Sequence, residues 1–186
     1  MKFKLCIDPG HGMGNRKPGV FDPGCTRDEI NEADIALQWA RSLAEACRDR
    51  GVVYWMTRGL SATTPAPLAK RVAEAQQNGC THLISLHVND ADEPKANGVE
   101  TLYRKTGKAS VDLARIVQAL AVRHLGLRRD RGVKNRGDLA ILKHPNSCLL
   151  ELGFIGSSSD LAAMQCPCCR RDLCAALAGL YASLMR

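Results

Sequence analysis

Residues 81–88 read THLISLHV, and this stretch restricts the fold more than any other. Apolar residues fall at both odd and even positions, so a strand here has no polar face to turn toward water. A strand of that kind lies inside a sheet covered on both sides, the usual situation of parallel sheets. Parallel neighbours in turn need long crossover connections, most often helices.

The rest of the chain supplies that alternation. KFKLCID (2–8) reads as a short strand with Phe3, Leu5 and Ile7 on one face. A glycine-rich loop from Gly10 to about Gly24 follows, then a helix over about 28–50 with acids near its start and Arg48, Arg50 and Gly51 at its end. VVYWMT (52–57) is a second strand, TTPAP a turn, and 67–78 a helix closed by Asn78-Gly79. Beyond the 81–88 strand come GVETLY (98–103) as a strand and a helix over 109–125 carrying Val111, Ile116, Leu120 and Leu125. A basic loop, RRDRGVKNRGD, leads into two further expected strands, DLAILK (138–143) and SCLLELG (147–153). The last helix is expected over about 168–185, with Leu173, Leu177, Leu180 and Leu184 at helical spacing. The pattern predicts the α/β class: one domain over residues 1–186, a twisted, mainly parallel sheet of about six strands, and helices on both faces.

At 186 residues the chain is long enough for one substantial core. Its formal net charge of +7 points to a polyanionic partner, either nucleic acid or an anionic cell envelope. Aromatic content of 4% and the lack of a recognition motif leave nucleic acid without a stacking platform, and no such partner is expected. No run approaches 18 apolar residues, so no transmembrane segment is expected. MKFKLCIDPGHG lacks the apolar core of a signal peptide, so either the chain stays in the cytoplasm where it is made or a leader has been removed. Met1 directly ahead of the first strand favours the former. The nine cysteines are read mainly as reduced thiols packed as small hydrophobes. CPCCRRDLC, with Cys166, Cys168, Cys169 and Cys174, stands apart in its C-x-C-C-x4-C spacing, and neither a structural metal nor a disulfide is the expected reading there.

In folds of this class, sites form beyond the carboxyl ends of the strands. His11 follows the first strand, His87 ends the buried one, and Glu151 ends the last, in LLELGF. Glu32 heads a helical stripe that continues through Ala36, Trp39 and Leu43, so its carboxylate points toward the protein and needs a partner. Two imidazoles and one carboxylate make a three-ligand zinc site with an open fourth position, where bound water loses its proton near pH 7. Glu151, in apolar surroundings that raise a carboxyl pKa, suits the general base. Taken one at a time, each has a plainer reading: His11 a loop or capping residue, Glu32 a solvated first-turn acid favoured by the helix dipole. Nor does any short metal-binding spacing join them.

IDPGHG, NEADIAL, SLHVN and LLELGFIGSSSD, in that order, resemble the zinc-dependent N-acetylmuramoyl-L-alanine amidases of the amidase-3 type, which are peptidoglycan hydrolases. The resemblance runs from residue 3 to about 185. It implies one Zn2+ held by His11, Glu32 and His87, with Glu151 as catalytic general base and acid. Glu32 stands 19 residues before Gly51, the offset that the family's helix glutamate leads one to expect. It also implies peptidoglycan as partner and cleavage of the amide between the lactyl group of N-acetylmuramic acid and L-alanine. The compact length looks most like a phage or prophage endolysin, made in the host cytoplasm and acting on the wall after release. A bacterial autolysin or a sporulation or division amidase would use the same chemistry; a non-catalytic wall-binding module is the third reading. Two positions depart from the family pattern: DPGHGG is DPGHGM here, and serines replace the usual asparagine in GFIGSSSD. Of the basic loop, Arg128, Arg129, Arg131, Lys134 and Arg136 are read as solvated or as facing stem-peptide carboxylates. His82 is expected as a strand residue, His124 as a helix-end cation and His144 near the groove.

Overall fold

The structure, a computed structural model, describes residues 2–59, 63–93, 95–105, 108–127 and 129–185. β1 (Leu5–Pro9) is followed by two short ribbons, β2 (Gly12–Met13) paired with β3 (Phe21–Asp22) and β4 (Thr26–Arg27) paired with β5 (Ile30–Asn31). Then come α1 (Glu32–Asp49), β6 (Tyr54–Met56), α2 (Leu68–Gln77), β7 (His82–Asn89), β8 (Val99–Tyr103) and α3 (Lys108–Leu125). β9 (Asp130–Asn135), a 3-10 turn (Ala140–Lys143), β10 (Ser147–Phe154), α4 (Ser158–Gln165) and α5 (Pro167–Ser183) complete the chain.

Six strands form one sheet in the order β6-β1-β7-β10-β8-β9. Every adjacent pair is parallel except β10 with β8. β7 lies inside it, and its two faces meet different cores. Ile84, Leu86 and Val88 join the larger core with Trp39 and Leu43 of α1, Val117 of α3 and Leu177 of α5. Leu83 joins a smaller core with Ala75 of α2, Ile141 and Leu142 of the 3-10 turn, and Leu149. The nearly continuous apolar run of residues 81–88 follows from this double coverage. Trp39 also ties α1 to α4, donating its indole N–H to the Met164 carbonyl at 3.0 Å.

The α/β class, the six strands and helices on both faces agree with the sequence pattern, and three local expectations change. Residues 138–143 do not form a strand. Ile141 and Leu142 are both buried, and they cap the smaller core from a 3-10 turn. The sixth strand is β9, inside the segment read as a basic loop, where it pairs with β8 at the sheet edge. The first long helix starts at Glu32, not near residue 28, because residues 26–31 form the β4–β5 ribbon and Asp28 takes a left-handed φ of 52°. Asn31 caps this helix, its Oδ1 accepting from the Asp34 N–H at 2.9 Å. No helix among the described residues is long and apolar enough to cross a membrane.

Candidate metal centre

The loop after β1 is held by two buried arginines. Arg71 of α2 pairs with Asp8 at 2.9 Å and donates to the carbonyls of Ala66 (3.0 Å), Pro9 (2.9 Å) and His11 (2.7 Å). Arg58, after β6, donates to Gly10 O at 3.0 Å and Ala33 O at 2.7 Å. Asp8 also accepts from Ser85 Oγ at 2.6 Å. Burial alone would raise the Asp8 carboxyl, but the Arg71 charge and the hydroxyl donors outweigh it and hold the carboxyl below its ordinary value. So clamped, the chain carries His11 through a φ of 59°, a left-handed conformation that residues with a side chain rarely adopt. Its imidazole is thereby turned toward α1 and β7.

Three donors meet there. His11 Nε2 lies 3.1 Å from Glu32 Oε2, and His87 Nδ1 lies 2.8 Å from Glu32 Oε1. The two imidazole rings stand edge to face with centroids 5.1 Å apart. One ligand atom from each residue falls within 4.8 Å of the other two. The other Nδ1 face of His11 meets Asp22 Oδ2 at 3.0 Å, so a carboxylate orients the ring from behind. Glu32 accepts further from the backbone N–H of Cys25 and of Val88, both at 3.0 Å. Burial would raise its carboxyl; hydrogen bonds to His11 and His87 prevail and keep it well below the usual range. The same contact with Glu32 overcomes burial at His87 and raises its pKa.

Glycines make the room. A Cβ on Gly10 would meet His87 Cε1 at 2.4 Å, and one on Gly24, whose φ is +70°, would meet Glu32 Oε2 at 2.4 Å. Glu151 of β10 pairs in register with His87 on one side and with Glu100 of β8 on the other. Its Oε2 is buried and has no hydrogen-bond partner. Burial pushes the Glu151 carboxyl up to about 7; His87 opposes this, and the charges of Glu32 and Glu100 add to it. Two imidazole nitrogens and one carboxylate, beside a second carboxylate oxygen without a partner, suit a zinc ion with an open position.

The four residues singled out in the sequence thus come together, although Glu32 comes from the helix on the far face of the sheet and reaches over the strand ends. Asp8, Asp22, Arg58, Arg71 and Glu100 escaped the sequence reading. Asp8 lies inside the IDPGHG stretch itself, and Arg71 stands one helical turn before buried Ala75, a cation on an apolar face that required a buried partner.

The basic segment has a definite structure. Arg131 Nε and Lys134 Nζ of β9 each lie 2.6 Å from Glu100 Oε2, and the Arg131 guanidinium sits 4.8 Å from the Phe154 ring centroid. Burial would raise the Glu100 carboxyl, but these two cations hold it down. Arg136 pairs with Asp138 at 2.8 Å, and Arg128 lies outside the described residues. His144 is not near the groove: it is buried, with Nε2 3.2 Å from the Cys80 carbonyl at the opposite end of β7. His82 begins β7 and stacks on Phe3, and His124 lies in the last turn of α3.

The Amidase_3 family profile, N-acetylmuramoyl-L-alanine amidase, matches residues 5–179. The chain belongs to this family. Among its relatives, the uncharacterized protein YqiI of Bacillus subtilis strain 168 is 33% identical over 158 residues, spanning 83% of this chain and 71% of YqiI. The N-acetylmuramoyl-L-alanine amidase of Clostridium difficile 630 superposes with a TM-score of 0.81 at 26% identity, covering 96% of this chain and 95% of that one. The catalytic domain of CwlV, an amidase from Bacillus (Paenibacillus) polymyxa var. colistinus, gives a TM-score of 0.83 at 22% identity with 98% of each chain covered, a likeness of fold. An Amidase_3 fold therefore underlies the His11, Glu32, His87 and Glu151 cluster.

Proposed function

We propose that this Amidase_3 chain hydrolyses peptidoglycan at the amide between the lactyl group of N-acetylmuramic acid and L-alanine, with one Zn2+ bound by His11, Glu32 and His87. The observation that carries this reading is the unpartnered, buried Oε2 of Glu151 beside those three donors. Bound there, zinc would polarise the scissile carbonyl and acidify a water. Asp22 fixes the tautomer of His11 by accepting from its Nδ1, which leaves Nε2 as the ligand atom. Glu151 takes the proton of the attacking water and returns it to the leaving alanine nitrogen. A carboxyl raised toward neutrality by burial is matched to both transfers. Paired with Arg131 and Lys134, Glu100 keeps a fixed negative charge next to Glu151 and so helps keep its proton available.

Digestion of purified peptidoglycan tests the proposal. Mass spectrometry of the products should show stem peptides with new L-alanine amino termini, and no new reducing sugar ends should form. Reducing ends without free alanine termini would mean a glycosidase and overturn the reading. Glu151→Gln should lose the activity while retaining zinc; undiminished turnover by this variant would remove Glu151 from the chemistry.

A further inference from the structure

Three thiols outside the metal centre converge on the first turn of α5. Cys166, Cys168 and Cys169 each offer a sulfur within 4.8 Å of the other two, with Cys166 Sγ 2.6 Å from Cys168 Sγ. We propose that these three cysteines form a second metal site, a three-thiolate site for a soft d10 cation of the Zn2+ or Cd2+ class, with its fourth position open to solvent.

Packing accounts for Cys169, which borders the larger core, but not for Cys166 and Cys168. Cys6, Cys47, Cys80, Cys148 and Cys174 are buried, as unreactive cysteines usually are, whereas Cys168 is exposed and Cys166 and Cys169 are half-buried. The backbone gathers them. Cys166 caps α5, with the Cys169 N–H 3.5 Å from its sulfur, and Pro167 at the first helical position fixes the chain between them. Zinc–sulfur bonds of about 2.3 Å place tetrahedral sulfurs about 3.8 Å apart, within the 4.8 Å limit that holds for all three pairs here. The Cys166–Cys168 pair need only turn apart about their side-chain torsions, and one of the two, Cys168, is exposed. Thiolates are the ligands that select such soft cations. Charge favours the site too: three thiolates and a divalent cation leave one negative charge at a helix N-terminus, where the macrodipole stabilises it. Cys174 is not a fourth ligand, because it is buried with its sulfur directed at the Trp39 carbonyl 3.7 Å away. None of the three thiols contacts His11, Glu32, His87 or Glu151, so the site stands apart from the proposed amidase chemistry.

The test uses the full chain, reduced and metal-free, titrated with Cd2+ and followed by near-ultraviolet thiolate-to-cadmium charge-transfer absorption and by native mass spectrometry. The wild type should show the charge-transfer band and bind about two ions per chain, one at each site. C166S/C168S/C169S should lose the band and bind about one ion. Serine is a good N-cap, so this variant keeps the start of α5. H11A/H87A should retain the band while also falling to about one ion, which separates this site from the amidase centre. The absence of a band in the wild type, or its persistence in the triple-serine variant, would overturn the proposal. A wild-type mass lower by two hydrogens in air-equilibrated protein, together with no band after reduction, would make the cluster a disulfide pair instead.

Discussion

Gly10 lies so close beneath His87 that an added Cβ would meet the imidazole Cε1 at 2.4 Å, and the imidazole is already fixed on its other side by Glu32 at 2.8 Å. Gly10→Ala must therefore push a ligand away from its partner. In the C166S/C168S/C169S background, zinc affinity read by competition with a chromophoric chelator should fall by about tenfold or more. The overpacking should also cost about 1–3 kcal/mol of stability. Gly51→Ala is the control: its φ of +68° strains an alanine, yet nothing lies within 4 Å of the added carbon. It should lose about 1 kcal/mol and bind zinc as the wild type does. Glu151 carries a different prediction, for the metal-free chain. Its carboxyl ionises at about 7 in the folded protein against 4.5 when unfolded, so the folded state holds the proton more tightly. The stability this gives is complete below the unfolded value and is lost as pH rises toward 7. Glu151→Gln lacks that loss. Its urea midpoint should match the wild type at pH 4 and exceed it at pH 8 by the equivalent of roughly 3 kcal/mol, whereas equal midpoints at both pH values would mean that the carboxyl ionises freely.

Between elements, the ion pair of Arg71 and Asp8 joins α2 to β1 and the loop that holds His11. Both side chains are buried, so removing one charge strands the other. Arg71→Ala should cost about 3–5 kcal/mol by urea denaturation, and Asp8→Asn in the same chain should recover part of it. At the β9 edge of the sheet, Arg131 and Lys134 hold Glu100 ionised and partly offset its charge. In R131A/K134A the freed negative charge of Glu100 raises the Glu151 carboxyl further, so the acidic limb of the pH–kcat profile should move to higher pH. An unmoved limb would mean that Glu100 does not act on Glu151. These elements also show why the sequence singled out four residues that the fold brings together, yet led to a misplaced strand. THLISLHV and SCLLELG form inner strands whose burial pattern is written in consecutive apolar residues. DLAILK has the same composition, and a run that short fits a strand or a turn packed on the core equally well. DRGVKN reads as polar because an edge strand meets water, and its charged partner, Glu100, lies 31 residues from Arg131. No local signal names the partners of the buried arginines, for the same reason: Arg71 meets Asp8, Pro9 and His11, and Arg58 meets Gly10 and Ala33, all distant in sequence.

Across the whole molecule, the candidate metal centre joins parts that the hydrophobic cores hold unequally. His87 sits on a strand covered from both sides, whereas His11 and the ribbons of residues 12–31 lie outside the sheet. Glu32, heading α1, bonds to both histidines. An ion that binds all three donors binds the folded chain and not the unfolded one, so it adds RT ln(1 + [Zn2+]/Kd), about 4 kcal/mol at a thousandfold excess over Kd. For a chain of this size that corresponds to a rise in Tm of about 10 °C. The measurement belongs in the C166S/C168S/C169S background, so that thiol binding makes no contribution. Chelation should then lower Tm by that amount while the far-ultraviolet spectrum at room temperature stays unchanged, because the two cores do not include the ion. Hydrogen exchange should quicken in residues 12–31 and stay slow in β7 and β10. His87→Ala should show no response to zinc or chelator, and a Tm that responds equally in this variant would place the stabilising ion elsewhere than at His11, Glu32 and His87.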